Sequence, residues 1–206
     1  KPVMWSPVEK TALAEAEVEY DDIVSTQIDV AFEIVEAPNA PELVGAHAVI
    51  WTTTPWTIPV NQALSYGPEI EYALLTDGTR KYVVATQLYT GFTERAEWQN
   101  VGDRRVKIGS EYWQVTDEKG APVLVRGAEL AGATARHPMH HLGGFFAKPR
   151  PFLPGDFVTT DAGTGLVHMA PDHGEDDFLL CKQYGIDPVF AVDGAGMYRD
   201  DWAWLG

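Results

Sequence analysis

Two segments of this chain are dense in side chains that could bind or hydrolyse a small polar substrate. They are residues 51–61, WTTTPWTIPVN, and residues 163–178, GTGLVHMAPDHGEDDF. Each contains or follows a predicted strand and carries hydroxyl, imidazole or carboxylate groups, which can orient an ester, a water molecule or an ammonium group. We therefore predict that the two segments form two walls of one small-molecule site.

The threonine run in the first segment has two interpretations. Thr52, Thr53 and Thr54 end a predicted strand and are followed by Pro55. Proline cannot continue strand pairing, so the turn leaves hydroxyls and backbone amides free for a ligand. The alternative is structural, with Thr54 as the N-cap of a helix and Pro55 as its first residue.

The glycines that open the second segment also have two interpretations. Gly163, Thr164 and Gly165 precede a predicted strand. Glycine allows close approach of the backbone to a ligand, but the same pattern is typical of a simple tight turn. A phosphate-binding loop is not indicated, because neither the Walker pattern with its lysine nor GxGxxG is present.

The densest polar cluster comprises His168, Asp172, His173, Asp176 and Asp177. Histidines and carboxylates could bind a divalent metal whose water attacks a substrate. Alternatively, Asp172 caps a helix whose first turn is acidic, as the helix dipole favours. Neighbouring helical residues point about 100° apart, so we expect one of the two adjacent aspartates to face a site and the other to face solvent.

The remaining histidines near a motif and the cysteine do not suggest covalent catalysis. His137, His140 and His141 lie in a segment rich in proline and glycine, and we expect them to be solvent-exposed. Cys181 lies within a predicted helix at a packed position, and no nucleophile elbow is present.

Composition limits the classes of function. The chain has 206 residues, 45% hydrophobic content and a net charge of −15. Such a chain should fold but should bind RNA poorly by itself, because nucleic-acid binding rests largely on basic residues. One cysteine permits no internal disulfide, and no apolar run approaches a membrane span. We expect a fragment of a larger protein, because the chain begins with Lys1 and not with an initiator methionine, and the single cysteine fits an intracellular origin.

Periodicity and turn signals predict an α+β, strand-rich fold in one domain, although they do not show whether the sheet closes into a barrel. Residues 138–154 are expected to form an ordered loop. The predicted strands are residues 29–35, 46–53, 72–76, 81–85, 123–125, 157–160 and 166–169, and the predicted helices are residues 86–99 and 172–184.

These motifs resemble the editing domain of isoleucyl-tRNA synthetases. WTTTPWT with the following Pro59 and Asn61 is similar to that family's threonine-rich segment, GTGLVHMAPDHGEDDF is similar to its second editing motif, and KPVMWSPVEKTALAEAEVEY is similar to the segment leading into the insertion. The resemblance implies one editing domain, residues 1–206, within a larger synthetase, with junction segments at 1–20 and 195–206. The aminoacylation signatures HIGH and KMSKS are absent.

The resemblance also implies a fold and an activity. The fold would be a closed β-barrel with peripheral helices. The activity would be hydrolysis of valyl-tRNA for isoleucine, with valyl-adenylate as a second candidate substrate, and without a metal or other cofactor. The implied partners are the aminoacylated 3′ end of the tRNA and the rest of the synthetase, in the cytoplasm and without a membrane.

Residue roles follow from the same resemblance. Asp177 would hold the substrate's ammonium group, and His168 and Thr57 would line the amino-acid side-chain pocket beside Trp56. Thr52, Thr53 and Thr54 would contact the terminal adenosine or the ester and position water. The backbone of Gly163, Thr164 and Gly165 would approach the nucleotide.

Two other functions remain open at this point. One is a metal-dependent hydrolase that uses His168, His173 and the aspartates. The other is a module that binds the aminoacylated end without performing chemistry.

Overall fold

The computed structural model describes residues 2–96, 98–101, 104–107 and 113–202. Its strands are β1 Trp5–Ser6, β2 Thr11–Ala12, β3 Ile28–Glu36, β4 His47–Thr52, β5 Ala63–Tyr66, β6 Glu71–Thr76, β7 Lys81–Ala85, β8 Trp98–Val101, β9 Arg104–Lys107, β10 Trp113–Gln114, β11 Leu124–Arg126, β12 Thr134–Ala135, β13 Arg150–Pro154 and β14 Leu166–Met169. The α-helices are α1 Tyr89–Ala96 and α2 Glu175–Gln183. Short 3₁₀ helices lie at Glu15–Glu17, Pro41–Leu43, Pro55–Val60, Gly127–Leu130, His140–Leu142 and Gly144–Ala147.

One large sheet dominates the fold. Its hydrogen-bonded order is β10-β6-β7-β4-β3-β12-β13-β5-β14, and β11 also pairs with β6. The β4–β7 and β5–β13 pairs are parallel, and the other pairs of this sheet are antiparallel. Two further two-stranded ribbons are β1–β2 and β8–β9. The α+β, sheet-rich prediction is confirmed.

The closed barrel is not confirmed. Within the described residues the pairing order is an open path that ends at β10 and at β14. The sheet nevertheless curls, because the turn before β14 meets β6 and β7. The Ala85 N–H donates to the Thr164 carbonyl at 2.8 Å, and the Tyr72 hydroxyl donates to the Gly165 carbonyl at 2.7 Å.

The principal core lies between the curled faces of this sheet. Alternate residues of the long strand β3 point into it, with Phe32 and Ile34 fully buried, as the period of two predicts. Leu64 from β5 and Leu166 from β14 join the same cluster, so β14 is fixed against the body of the sheet. This packing fixes the backbone around His168.

Several predicted elements require correction. Residues 157–160 form no strand, whereas β13 lies in the segment predicted to be a loop. The predicted helix 86–99 is shorter, because α1 ends at Ala96 and β8 begins at Trp98. Helix α2 begins after Gly174, its N-cap, so the prediction that Asp172 caps this helix is wrong.

The domain boundaries stay a prediction. The segment 1–20 forms the β1–β2 ribbon and a 3₁₀ turn, apart from Lys1, which lies outside the described residues. Of the second junction segment, residues 203–206 also lie outside them. None of the helices in the described part of the chain is long and apolar enough to cross a membrane.

Candidate functional site

The two predicted walls meet at one hydrogen bond. Thr57 and His168, 111 positions apart in the sequence, lie 3.1 Å apart between Oγ1 and Nε2, and both are buried. Thr57 lies in the 3₁₀ helix Pro55–Val60, and His168 lies on β14. This contact brings the two segments together, as expected if they form one site.

The hydrogen bonds of the Thr57 hydroxyl fix the proton positions in this pair. The Thr57 hydroxyl donates its one proton to the Thr54 carbonyl at 2.9 Å, so it accepts from Nε2–H of His168. Nδ1 of His168 then carries a lone pair, and it is buried without a hydrogen-bond partner. Burial lowers the pKa of His168 to about 4, helped by the nearby His173, so the imidazole is neutral at physiological pH.

The threonine run forms a hydroxyl chain that leads from the interior to the surface. Thr52 is buried and Thr54 is exposed, and their hydroxyl oxygens are 3.1 Å apart. The Thr54 N–H donates to the Thr52 hydroxyl at 3.0 Å, and Pro55 begins the following helix with Thr54 as its N-cap. The structural interpretation is confirmed for the positions of Thr54 and Pro55, but the Thr54 side chain makes no capping hydrogen bond, and Thr54 is exposed to solvent.

Thr53 and Trp56 border the same turn on its outer side. Thr53 is exposed, and its carbonyl accepts a hydrogen bond from Ser25 at 2.6 Å. Trp56 is 47% exposed, and its ring packs edge-on against His173 with centroids 4.6 Å apart. A half-exposed indole near the buried Thr57–His168 pair can form the rim of a site.

Asp177 lies in the first turn of α2 and faces inward. Its Oδ2 accepts the Ala170 N–H at 2.7 Å, whereas Asp176 is exposed, as predicted for this adjacent pair. Burial raises the pKa of Asp177 to about 6, against the lowering effect of the Ala170 hydrogen bond. A Cβ added to Gly174 would lie 2.9 Å from the carboxyl carbon of Asp177, so glycine makes room for this carboxylate.

The glycine turn before β14 is held in place by contacts that sequence analysis missed. Gly163 and Gly165 have φ of 81° and 78°, which explains the glycines. Arg95 of α1 forms two 2.8 Å bonds with Asp29 and a 3.3 Å bond to the Gly163 carbonyl. Thr164 between them is 1% exposed and its hydroxyl donates to the Leu166 carbonyl, so this side chain stabilises the turn.

The acidic and histidine cluster is only partly assembled. His173 is close enough to Asp177 and His168 to affect the pKa of both, and its Nε2 lies 3.1 Å from Asp172. Among the described residues, no group of three or more histidine, cysteine or acidic side chains is arranged to hold a metal ion.

A cavity of about 850 Å³ adjoins the site without being its centre. It is lined largely by apolar residues of the N-terminal segment and of residues 188–196, with His173 and Phe178 of the second motif. Trp56 lines it, as do Asp172 and His173 of the polar cluster, whereas Thr57, His168 and Asp177 are not among its lining residues. We place the site at the Thr57–His168 contact, because the polar groups converge there.

The chain is similar in sequence to several known proteins. The chain is 57% identical over 208 residues to isoleucine–tRNA ligase of Zymomonas mobilis, a match that covers 100% of this chain and 20% of that protein. It is 51% identical over 200 residues to the ligase of Gluconobacter oxydans, covering 96% of this chain and 20% of that protein. The chain is homologous to a segment of isoleucine–tRNA ligases.

More distant ligases give the same result. The ligase of Bacillus anthracis is 40% identical over 201 residues, with 98% of this chain and 19% of that protein covered. The chain thus spans about a fifth of the length of these relatives. No family model matches it.

A solved structure supports the fold. The crystal structure of GlLeuRS-CP1 aligns with a TM-score of 0.55 at 15% identity, over 79% of this chain and 65% of that chain. The editing domain of the cytosolic leucyl-tRNA synthetase of P. knowlesi aligns with a TM-score of 0.46 at 10% identity, over 87% of this chain and 77% of that chain. The first of these likenesses shows that the sheet-rich fold is that of a CP1 domain.

Proposed function

We propose that this segment of an isoleucine–tRNA ligase is a post-transfer editing hydrolase that deacylates valyl-tRNA for isoleucine. Valyl-adenylate is a second candidate substrate. The observation that carries the proposal is the buried Thr57–His168 hydrogen bond, which joins the two motifs into one wall. The partners would be the aminoacylated 3′ end of the tRNA and the rest of the ligase, in the cytoplasm.

The wall is suited to separating valine from isoleucine by size. Burial of one methylene contributes only about 0.8 kcal/mol, so a pocket that merely prefers the larger side chain discriminates weakly. A rigid pocket that excludes the larger side chain reverses the preference, because overpacking is costly. Thr57 and His168 are buried, and their mutual hydrogen bond restricts both side chains.

Asp177 supplies a partner for the substrate's ammonium group. Its carboxylate is partly buried in the first turn of α2 and uses one oxygen for the Ala170 N–H, which leaves lone pairs on the other oxygen. A bound ammonium would also favour the charged carboxylate, which burial disfavours in the empty site.

The remaining groups suit attack by water on an already activated ester. The Thr52–Thr54 chain ends in an exposed hydroxyl, which can orient the ester oxygen or the attacking water. The adjoining Thr53 and the backbone of Gly163–Thr164–Gly165 would contact the terminal nucleoside, and Trp56 would lie beside the side-chain pocket. Oriented donors and a positioned water can hydrolyse such an ester without a metal.

The experiment that tests the proposal is deacylation by this chain at high concentration. Valyl-tRNA and isoleucyl-tRNA for isoleucine would be incubated separately, with and without EDTA, and the remaining ester measured over time. We expect chelator-resistant loss of the valyl ester alone. Loss that EDTA abolishes would instead favour the metal-dependent hydrolase built on His168, His173 and the aspartates.

If the rest of the ligase is needed to present the tRNA, the isolated chain would be inactive in that assay even though its site is an editing site. The same assay is therefore repeated with the chain placed in the body of a full-length isoleucine–tRNA ligase, without ATP. Tight binding of valyl-tRNA with no turnover in both forms would show a binding module and contradict the proposal.

A further inference from the structure

A third imidazole lies behind the proposed pocket and belongs to neither motif. His137 was expected to be solvent-exposed, but it is fully buried, which corrects that prediction, whereas His140 and His141 are exposed as expected. The His137 ring packs against Phe32 and Phe146, with centroids 5.8 and 5.0 Å away. A polar ring so deeply buried needs hydrogen-bond partners.

Both ring nitrogens of His137 have partners, and the partners fix the tautomer. The Met139 N–H donates to Nδ1 at 3.0 Å, so Nδ1 must carry a lone pair. The proton is therefore on Nε2, which donates to the carbonyl of Ile58 at 2.9 Å. Burial, helped by the nearby Arg150, His140 and His168, lowers the pKa of His137 to about 4, so the ring is neutral at physiological pH.

The acceptor, Ile58, lies directly after Thr57 in the 3₁₀ helix. Its carbonyl also takes the Asn61 N–H at 3.0 Å. This helix is six residues long and contains Pro55 and Pro59, neither of which has a backbone donor. Because 3₁₀ runs longer than three to four residues are uncommon, external hydrogen bonds are needed to hold its shape.

We infer that His137 is a positioning residue that sets the depth of the amino-acid side-chain pocket by holding Ile58. His168 contacts the helix at Thr57, and His137 holds the next residue from the core side. The two neutral imidazoles thus fix consecutive residues of one turn. This inference rests on the proposed editing function, and it adds a specificity determinant that does not touch the substrate.

The test compares variants that separate ring packing from hydrogen bonding. His137→Phe keeps an aromatic ring between Phe32 and Phe146 but removes the donor to Ile58. His137→Gln keeps an amide donor near the position of Nε2, whereas His137→Asn is too short to reach the carbonyl. His141→Gln, at an exposed histidine of the same segment, is the matched control.

The measured quantity is the ratio of kcat/KM for valyl-tRNA to that for isoleucyl-tRNA, in the intact ligase that carries this chain. We expect H137F and H137N to lower the ratio about tenfold, mainly through faster loss of the isoleucyl ester, and H137Q and H141Q to retain it. A ratio unchanged in H137F and H137N would overturn the inference. If H137F does not fold, as judged by its melting curve, the comparison of H137Q with H137N decides the question.

A second measurement does not depend on activity. The ¹⁵N shifts of the His137 ring at neutral pH should show a proton on Nε2 and none on Nδ1, and the opposite tautomer would also overturn the inference. Failure of the proposed function looks different, since the unmodified protein would then hydrolyse neither ester or both equally.

Discussion

The carboxylate of Asp177, which we propose binds the substrate's ammonium group, lies in an environment that disfavours its charged form. Its pKa is raised to about 6 in the folded protein, chiefly by burial, from an ordinary value of 3.8. The sequence predicted that one of Asp176 and Asp177 would face inward, because a helix places neighbours about 100° apart. The periodicity could not show which one, since that depends on the Ala170 N–H that Asp177 accepts from another element.

The raised pKa of Asp177 predicts a stability gain on neutralisation. The folded state binds this proton more tightly than the unfolded chain, so the stabilisation is complete below pH 3.8 and is lost as the pH rises through about 6. Asp177→Asn should therefore raise the free energy of unfolding at pH 7.5 by about 1 kcal/mol, so the variant unfolds at a higher urea concentration. Its hydrolysis of valyl-tRNA should be lost. Urea unfolding at pH 4 and pH 7.5 measures the difference.

The control for this prediction is the exposed neighbour. Asp176→Asn removes the same charge from the same helical turn without a buried carboxylate, so its effect on stability should be smaller. A gain for Asp177→Asn that is equal at both pH values would show that the raised pKa is not its cause.

His168 gives the sharpest test of the pocket wall. His168→Ala removes a buried ring that contacts Thr57, and the space should admit the extra methylene of isoleucine. We expect isoleucyl-tRNA hydrolysis to rise about 5- to 150-fold, since an exclusion of about 1–3 kcal/mol from overpacking is relieved. The deacylation assay with isoleucyl-tRNA measures it. Continued protection of that ester would place the wall on other residues.

Among the secondary-structure elements, strands with a clear local pattern were predicted, whereas a strand that depends on tertiary pairing was not. Leu166–Met169 was predicted with its correct bounds because a short apolar run follows a glycine turn. Arg150–Pro154 was missed because Pro151 and Pro154 argue against a strand. It pairs with β12 and β5 nonetheless, which no local pattern could show.

The curl of the sheet at Gly165 yields a stability prediction with a matched control. A Cβ at Gly165 would lie 2.5 Å from the Cβ of Ala85, and φ is 78°, so alanine meets both a clash and backbone strain. At Gly45 φ is 83°, but nothing lies within 4 Å, so alanine meets the strain alone. We expect Gly165→Ala to cost about 3 kcal/mol and Gly45→Ala about 1 kcal/mol.

Urea unfolding of both glycine variants measures these costs. Equal losses would mean that the turn before β14 does not press on β7, and the curled arrangement of the sheet would be wrong at that point.

For the whole molecule, sequence patterns predicted the α+β class of the fold but not the pairing of its distant strands. A net charge of −15 follows from counting residues and argues against tight RNA binding by this chain alone. Closure of the sheet depends on pairings between strands far apart in sequence, such as β3 with β12, and these depend on packing rather than on local preference. The resemblance implied a closed barrel, and the described strands form an open order instead.

The acidic charge predicts how activity should depend on salt. Proteins that neutralise six to ten phosphates lose roughly 10³–10⁵ in affinity between 50 and 200 mM salt, through counterion release. This chain has 15 basic against 30 acidic residues, so it should contact few phosphates and meet mainly the aminoacylated end. Its kcat/KM for valyl-tRNA should therefore fall less than about tenfold over that range. The same chain within a full-length ligase should show a much steeper fall, because the ligase body would supply the phosphate contacts. Initial deacylation rates at several salt concentrations measure both slopes, and equally steep slopes would show that the chain itself binds the tRNA backbone.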